Sequence, residues 1–298
     1  SVSSTDTDAD KKSFSFDLVP ASLLSNTVVV KTATPDLPGD FSGGLVQVNT
    51  LEFPTERVIK LSLSQSYNDE TSTKTMLVSS GGDRDWLGMD DGSRELPDGL
   101  SGNPLARELP NTWAPEVQKA PMNSSFSLQA GDRFFIGEQE VGFIASALYK
   151  NKYRTSEFTE APSYRGIPLF SFEGTRYSRN VMWGGLLNLN YKPHPRHKFS
   201  FKNSYIQTAR ENVSYSSGLP AEGEFTKRTT IEWEERNLSL THLEGEHKIE
   251  HLGDLEIDWN AFFSRSRAEE PDRRHVEFRE GATGDWYAFR DNYRTWAE

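Results

Sequence analysis

Along most of this chain apolar and polar residues alternate with a period of two. From about residue 57, Ile59, Leu61, Leu63 and Tyr67 alternate with Lys60, Ser62, Ser64 and Ser66. Val141, Phe143, Ala145, Ala147 and Tyr149 share one parity, and so do Val181, Trp183, Gly185, Leu187, Leu189 and Tyr191, set against Asn188 and Asn190. Phe199, Phe201 and Tyr205 oppose Ser200, Lys202 and Ser204; Leu255, Ile257, Trp259, Ala261 and Phe263 oppose Glu256, Asp258, Asn260 and Ser264. Successive side chains of a strand point to opposite faces, so each segment predicts a strand with one apolar and one polar face. The segments near 123–135 and 227–243 read as strands of less clean parity.

Short links near Ile136–Glu140, Lys192–His197 and Glu244–Gly253 alternate with long ones at roughly 68–122, 154–176 and 213–226. A transmembrane barrel alternates in this way, with tight turns on one side and long loops on the other. Tyr67, Tyr149 and Tyr191, read as strand-end residues, fit the aromatic girdles of such a barrel. A soluble, aromatic-rich β-sandwich that binds carbohydrate is the competing reading; there the same aromatics pack between two sheets.

The first 50 or so residues differ. A polar start of about 12 residues leads to Phe14-Ser15-Phe16, and Pro20 before Ala21-Ser22-Leu23-Leu24 predicts a short helical turn. Asn26–Lys31 and Leu45–Thr50 predict two short strands around a loop punctuated by Pro35, Pro38, Gly39, Gly43 and Gly44.

Composition narrows the classes. Only 35% of the 298 residues are hydrophobic, yet 18 Phe, 10 Tyr and 7 Trp are too many aromatics for a disordered chain. The net charge of −11, with no Lys/Arg run, excludes a nucleic-acid binder that works through a basic stripe. Without Cys there are no disulfides, thiolate metal sites or Cys nucleophiles. No window approaches 18 consecutive apolar residues, so no helix is expected to cross a membrane. Ser1 opens no leader segment and the patterned region runs to Glu298, so the chain is expected to be a fragment of a longer, exported protein.

Three stretches carry a family resemblance. Phe16-Asp17-Leu18-Val19-Pro20, then Val28-Val29-Val30-Lys31-Thr32, then Thr34-Pro35-Asp36-Leu37-Pro38-Gly39-Asp40-Phe41-Ser42-Gly43-Gly44-Leu45-Val46-Gln47-Val48-Asn49-Thr50 resemble the C-terminal part of the plug of TonB-dependent outer-membrane receptors, in the wording of the Bacteroidetes-like branch. Gly81-Gly82-Asp83-Arg84-Asp85-Trp86-Leu87-Gly88-Met89-Asp90-Asp91-Gly92 resembles the first outer loop of that branch, and Glu269-Glu270-Pro271-Asp272-Arg273-Arg274 a later strand-to-loop junction.

The resemblance implies an all-β protein: a partial transmembrane antiparallel barrel, an up-and-down meander, preceded by the C-terminal part of a plug domain. Residues 1–53 would be the plug piece and 54–298 the first seven or eight strands, the eighth beginning near His275. The whole receptor would have about 22 strands. It would take up a scarce nutrient (ferric siderophore, oligosaccharide or peptide) across the outer membrane of a Gram-negative bacterium. Its partners would be TonB, engaged through an N-terminal part outside this chain, the ligand, outer-membrane lipid and a surface lipoprotein. It implies no enzyme, no cofactor and no nucleic acid. Lys31 would anchor plug to barrel by an ion pair with the inner wall, and Pro35, Pro38, Gly39, Gly43 and Gly44 would shape the plug loop.

Other chemistry reads weakly. A strand, not a helix N-terminus, follows Gly43 and Gly44, which argues against a phosphate cradle. Asp83, Asp85, Asp90 and Asp91 around Trp86 lack the spacing of a Ca²⁺ loop and read as consecutive turns. The six His, with His194 and His197 at one expected turn and His242, His247 and His251 around another, include no HExxH pair. Glu256 and Asp258 fall side by side on a polar strand face, which a wet wall accounts for without a glycosidase pair, and no Gly-x-Ser-x-Gly elbow occurs.

Overall fold

A computed structural model of the chain describes residues 24–30, 45–50, 54, 56–97, 109, 112–165, 167–168, 170–220, 223–289 and 292–297. Among these the protein is all-β. In chain order the strands are β1 (Leu24–Val30), β2 (Leu45–Thr50), β3 (Val58–Ser66), β4 (Thr75–Val78), β5 (Glu116–Lys119), β6 (Asn123–Ile136), β7 (Gln139–Glu160), β8 (Ser163–Tyr164), β9 (Ile167–Pro168), β10 (Ser171–His194), β11 (His197–Leu219), β12 (Thr226–Ile249), β13 (Leu255–Glu280), β14 (Trp286–Ala288) and β15 (Tyr293–Ala297).

One antiparallel sheet dominates, in the order β3-β6-β7-β10-β11-β12-β13, with β14 and β15 both pairing to β13. Each long strand pairs with the next long strand, as the alternating pattern predicted. Pairs β4–β5 and β8–β9 form small ribbons inside the long links. Strands β1 and β2 pair only with each other among the described residues, in register Val28↔Gln47 and Val30↔Leu45. Leu24 belongs to β1, so the predicted helical turn does not extend to it; Pro20–Leu23 lie outside the described residues.

The main strands are longer than their sequence signal. Strands β7, β10, β11, β12 and β13 run for 22, 24, 23, 24 and 26 residues, or roughly 70–85 Å at about 3.3 Å per residue. The expected long links 154–176 and 213–226 shrink to 161–170 and 220–225, because Arg154, Thr155, Ser156, Ser214 and Ser216 are paired strand residues. Polar residues crowd these stretches and weaken the period-two signal, while the backbone ladder continues. For the same reason Tyr149 is mid-strand. No eighth strand starts at His275. Glu269–Arg274 lies within β13, at a register shift opposite Ile231–Glu235, with Asp272 at φ 57°. Such a bulge interrupts the ladder without ending the strand.

The tight connections collect at one end of the sheet: Gly137-Glu138 between β6 and β7, Pro195-Arg196 between β10 and β11, and residues 250–254 between β12 and β13. The long link 67–122 and the links after β7, β11 and β13 lie at the other end. Gly137 adopts φ 64° in its two-residue turn, with open space where a Cβ would stand. Only the backbone therefore resists a side chain there. Gly137→Ala is expected to cost about 1 kcal/mol, and Gly137→Asn less, because Asn tolerates left-handed geometry. Denaturant midpoints of the three proteins check this; equal midpoints for Gly and Ala would refute the turn geometry.

Candidate membrane interface

Register carries the alternation across all seven strands. Trp183 of β10 pairs with Tyr149 and Gln207, Leu187 with Ala145 and Asn203, and Leu189 with Phe143 and Phe201; Phe201 pairs with Leu243, which pairs with Ala261. Toward β3, Ala147 pairs with Leu128, which pairs with Leu61. These odd-parity residues of β10 and their partners share one face. Near the tight turns that face is apolar and open. Leu61 is 60% exposed, Leu128 41%, Leu189 42%, Leu243 40% and Trp259 41%.

On the opposite face polar residues of β10 and β11 are buried. Asn188 is 1% and Asn190 0% exposed, together with Ser200 at 4%, and the Ser200 hydroxyl donates to Asn190 Oδ1 at 2.7 Å. Ile144 and Ile206 are buried on the same side. A water-soluble sheet arranges burial the other way, hiding its apolar face against a second layer. Among the described residues no second sheet covers the apolar belt. Along β13 from Leu255 to Arg267 both faces are exposed, so burial there does not separate Ile257 and Trp259 from Glu256 and Asp258; register alone assigns their faces. Phe262, on the polar face of this strand, packs edge-on against His242 with ring centres 5.9 Å apart.

Aromatic residues border the belt. Tyr149, Trp183 and Tyr205 line its upper margin, the last two with ring centres 5.2 Å apart. Tyr191, Phe199 and Trp259 line its lower margin, in direct register with Val141 and Gly245. From Trp183 to Tyr191 is eight residues, about 26 Å along the strand and roughly 20 Å of height at the 35–45° tilt of a barrel. Some polar groups within the belt are paired. Asn203 Nδ2 donates to Thr241 Oγ1 at 2.9 Å, and Arg57 meets Asp132 at 2.6 Å. At the lower margin Trp259 Nε1 donates to His247 Nε2 at 2.9 Å, and His247 Nδ1 lies 3.2 Å from His197 Nδ1.

Above the girdle the same face is covered by the chain itself. Met76 and Val78 of β4 and Ala120 pack on Tyr153 and Tyr177, and the belt-face residues Val181, Ala209, Val213, Ile231 and Trp233 are buried. Val181 and Trp183, expected to face outward with the belt, do share its face, but this link lies over them. Tyr149 donates to Trp86 O, Trp183 to Leu87 O and Gln207 to Gly88 O, at 2.8, 2.7 and 2.5 Å. Glu211 accepts from Ser79 N and Glu235 from Asp90 N, both at 2.6 Å. Gly88 has φ 65°, and a Cβ there would come within 3.0 Å of Ala209 Cβ, so this close approach requires glycine.

Arg94 organises that segment. Its guanidinium grips Asp85 through both terminal nitrogens at 2.8 and 2.7 Å, meets Asp90 at 3.0 Å and lies 4.3 Å over the Trp233 ring. Burial pulls its proton affinity down, but hydrogen bonds and charge from Asp85, then Asp90, outweigh this and hold it above its ordinary value. Asp91 accepts from Asp83 N and Ser93 N, and bonds with Ser93 and the backbone keep its carboxyl below the usual range. The acidic loop is thus built on an arginine and backbone amides, and no cluster of three metal-ligating side chains occurs among the described residues.

Lys31, Pro35, Pro38, Gly39, Gly43 and Gly44 lie outside the described residues. Gln207, Glu211 and Glu235, which bind the long link to the sheet, were not legible in the sequence, because their partners lie 119 to 145 positions away. No helix among the described residues is long and apolar enough to cross a membrane, a statement that does not bear on strands. The chain matches no family model, no curated protein and no solved structure in comparisons with known proteins.

Two outcomes follow from this geometry. Arg94→Met leaves Asp85 and Asp90 without their buried cation and is expected to cost about 3–5 kcal/mol locally, opening residues 71–97 to proteolysis, whereas Arg196→Ala, at an exposed pair, should cost under about 1 kcal/mol. Equal protease resistance of the Arg94 variant and the native chain would remove the role given to it. His275, stacked on Tyr293 at 5.1 Å, has its proton affinity lowered by burial, partly opposed by Glu277 and assisted by Arg228 and Arg273. The unfolded chain therefore takes up this proton first, and stability falls as pH drops below about 6.5. The midpoint difference between about pH 7.5 and about pH 5 should shrink in His275→Gln; an unchanged difference would exclude His275 as its source.

Proposed function

We propose that this chain is part of a TonB-dependent outer-membrane receptor, a non-enzymatic transporter that takes up a scarce nutrient across the outer membrane of a Gram-negative bacterium. The observation that carries the reading is the exposed apolar belt on one face of seven consecutive strands, edged above and below by Tyr, Trp and Phe, with Asn188 and Asn190 buried on the other. A hydrocarbon layer is the environment that makes such a face favourable. Its height of roughly 20–26 Å is close to the apolar band of about 25 Å of such barrels. A strand needs about 9–11 residues to cross, so the 22–26-residue strands would extend well beyond the lipid on the long-link side. The plug-like stretch 34–50 and the loop-like stretch 81–92 support the same family by resemblance, and β1–β2 form a ribbon apart from the wall.

The belt face has no partner sheet among the described residues, which disfavours the carbohydrate-binding sandwich. The reading also carries a requirement. Among the described residues strand β3, and β13 over residues 255–269, each have one neighbour. Lipid tolerates no open edge, so further strands must join them into a closed barrel. The plug, TonB engagement and a surface lipoprotein partner belong to this proposal through the resemblance.

Membrane fractionation tests it. The protein should stay in carbonate-washed membranes and require detergent for release. Leu187→Arg, midway between the two aromatic margins, should cost about 2–4 kcal/mol in folding into lipid vesicles, whereas on a wet surface the same change is close to neutral. Recovery of the folded native protein in the aqueous phase would defeat the reading.

A further inference from the structure

Charges on the polar face fall into two populations. Near the tight turns several cations have a carboxylate: Lys202 with Glu244 at 2.6 Å, Lys198 with Glu246 at 3.0 Å, and Arg133 with Glu140 at 3.3 Å. On the far side, β12 and β13 are likewise compensated, Arg228 by Glu277 and Arg273 by Glu232, both at 2.9 Å. Between them lie Lys150, Lys152 and Arg154 of β7, Arg176 of β10 and Arg210 of β11. Register places all five on the polar face: Lys152 pairs with Asn180, which pairs with Arg210; Arg154 pairs with Ser178, and Arg176 with Ser156 and Ser214.

Among the described residues none of these five has a carboxylate within ion-pair distance, and Lys152, Arg154, Arg176 and Arg210 are exposed. Arg176 lies 5.3 Å from the Phe158 ring. Glu234, directly opposite Arg210, lies 4.0 Å from Arg236. From strand spacing and rise, the five charges occupy roughly 10 by 20 Å of wall just above the girdle. Ser156, Ser178, Asn180, Asn212 and Ser214 stand among them, and the Ser178 hydroxyl donates to Asn212 Oδ1 at 2.8 Å. Like charges on neighbouring strand positions repel. A chain of net charge −11 that concentrates five uncompensated cations here has a local attraction for anions that its overall charge opposes.

We infer that this patch binds a small organic polyanion, recognised through carboxylate or phosphate groups by Arg154, Arg176, Arg210, Lys152 and Lys150. The inference rests on the transport reading for one point, that this face is wet while the opposite one meets lipid. It then sets the class of nutrient: anionic rather than a neutral sugar. Anionic lipid headgroups are not its occupants, because the patch and the belt lie on opposite faces of one sheet.

The test titrates the purified protein, in whichever phase it is recovered, with citrate, inorganic pyrophosphate and maltose by calorimetry at low salt. Citrate and pyrophosphate should bind, with affinity falling as salt rises, and maltose should not. The triple variant Arg154→Gln/Arg176→Gln/Arg210→Gln should lose about tenfold or more in anion affinity. Lys198→Gln/Lys202→Gln, from the compensated rows, should bind as the native protein does. If the triple variant does not fold, as read by circular dichroism, Arg154→Gln and Arg210→Gln are each expected to lose about threefold. Failure of the native protein to bind either anion, undiminished binding by the folded variants, or an equal loss in the Lys198/Lys202 control would overturn the assignment. Loss of anion binding with membrane retention intact removes this ligand class and leaves the transport reading standing. Anion binding by a protein that fractionates as soluble does the reverse.

Discussion

Backbone pairing across seven strands commits every side chain to one of two faces, and in this protein the apolar face is open. Leu61, Leu128, Leu187, Leu189, Leu243, Ile257 and Trp259 stand exposed, while Asn188, Asn190 and Ser200 on the other side are shielded. Every other feature of the sheet depends on this inversion. A one-residue slip in any pairing would exchange the two sets, so register is held wherever the faces differ in surroundings. The tight turns Gly137-Glu138 and Pro195-Arg196 fix that register at the end where the contrast is greatest.

Farther along the same strands the constraint changes. Above Tyr149, Trp183 and Tyr205 the formerly apolar face carries Gln207, Glu211 and Glu235, and the long link closes over it. The sheet donates to carbonyls of Trp86, Leu87 and Gly88 and accepts from amides of Ser79 and Asp90, so the irregular backbone of the link finds partners where it is buried. Arg94 does for the carboxylates what these bonds do for the backbone. One continuous face thus serves two environments, divided at a row of aromatics able to meet both.

The opposite face is a polar wall whose charges are mostly compensated across strands, with one uncompensated stretch on β7, β10 and β11. Under the transport reading that wall borders water. The compensated rows near the tight turns and the cationic stretch above them would then present different electrostatics to a solute moving along it.

The sequence by itself determined the long strands of the main sheet, that they alternate in polarity, and that tight and long connections alternate; the ribbons β4–β5 and β8–β9 inside the links were not marked. Those properties are local: side-chain direction has a period of two, and turn geometry selects residues such as Gly137. It also marked Asn26–Lys31 and Leu45–Thr50 as a separate pair of short strands, close to β1 and β2. Strand lengths escaped it, because around Arg154–Ser156 and Ser214–Ser216 polar residues weaken the periodicity, although the backbone ladder runs on. Glu269–Arg274, which by resemblance was expected to be a strand-to-loop junction, is a bulge inside β13. Only the tertiary structure decided that Val181 lies beneath the chain's own loop while Leu187 stays open, that Arg94 takes the carboxylates of Asp85 and Asp90, and that Lys152, Arg176 and Arg210 converge. Each of these joins residues from different strands or links, and cross-strand proximity is set by register, which no single segment contains.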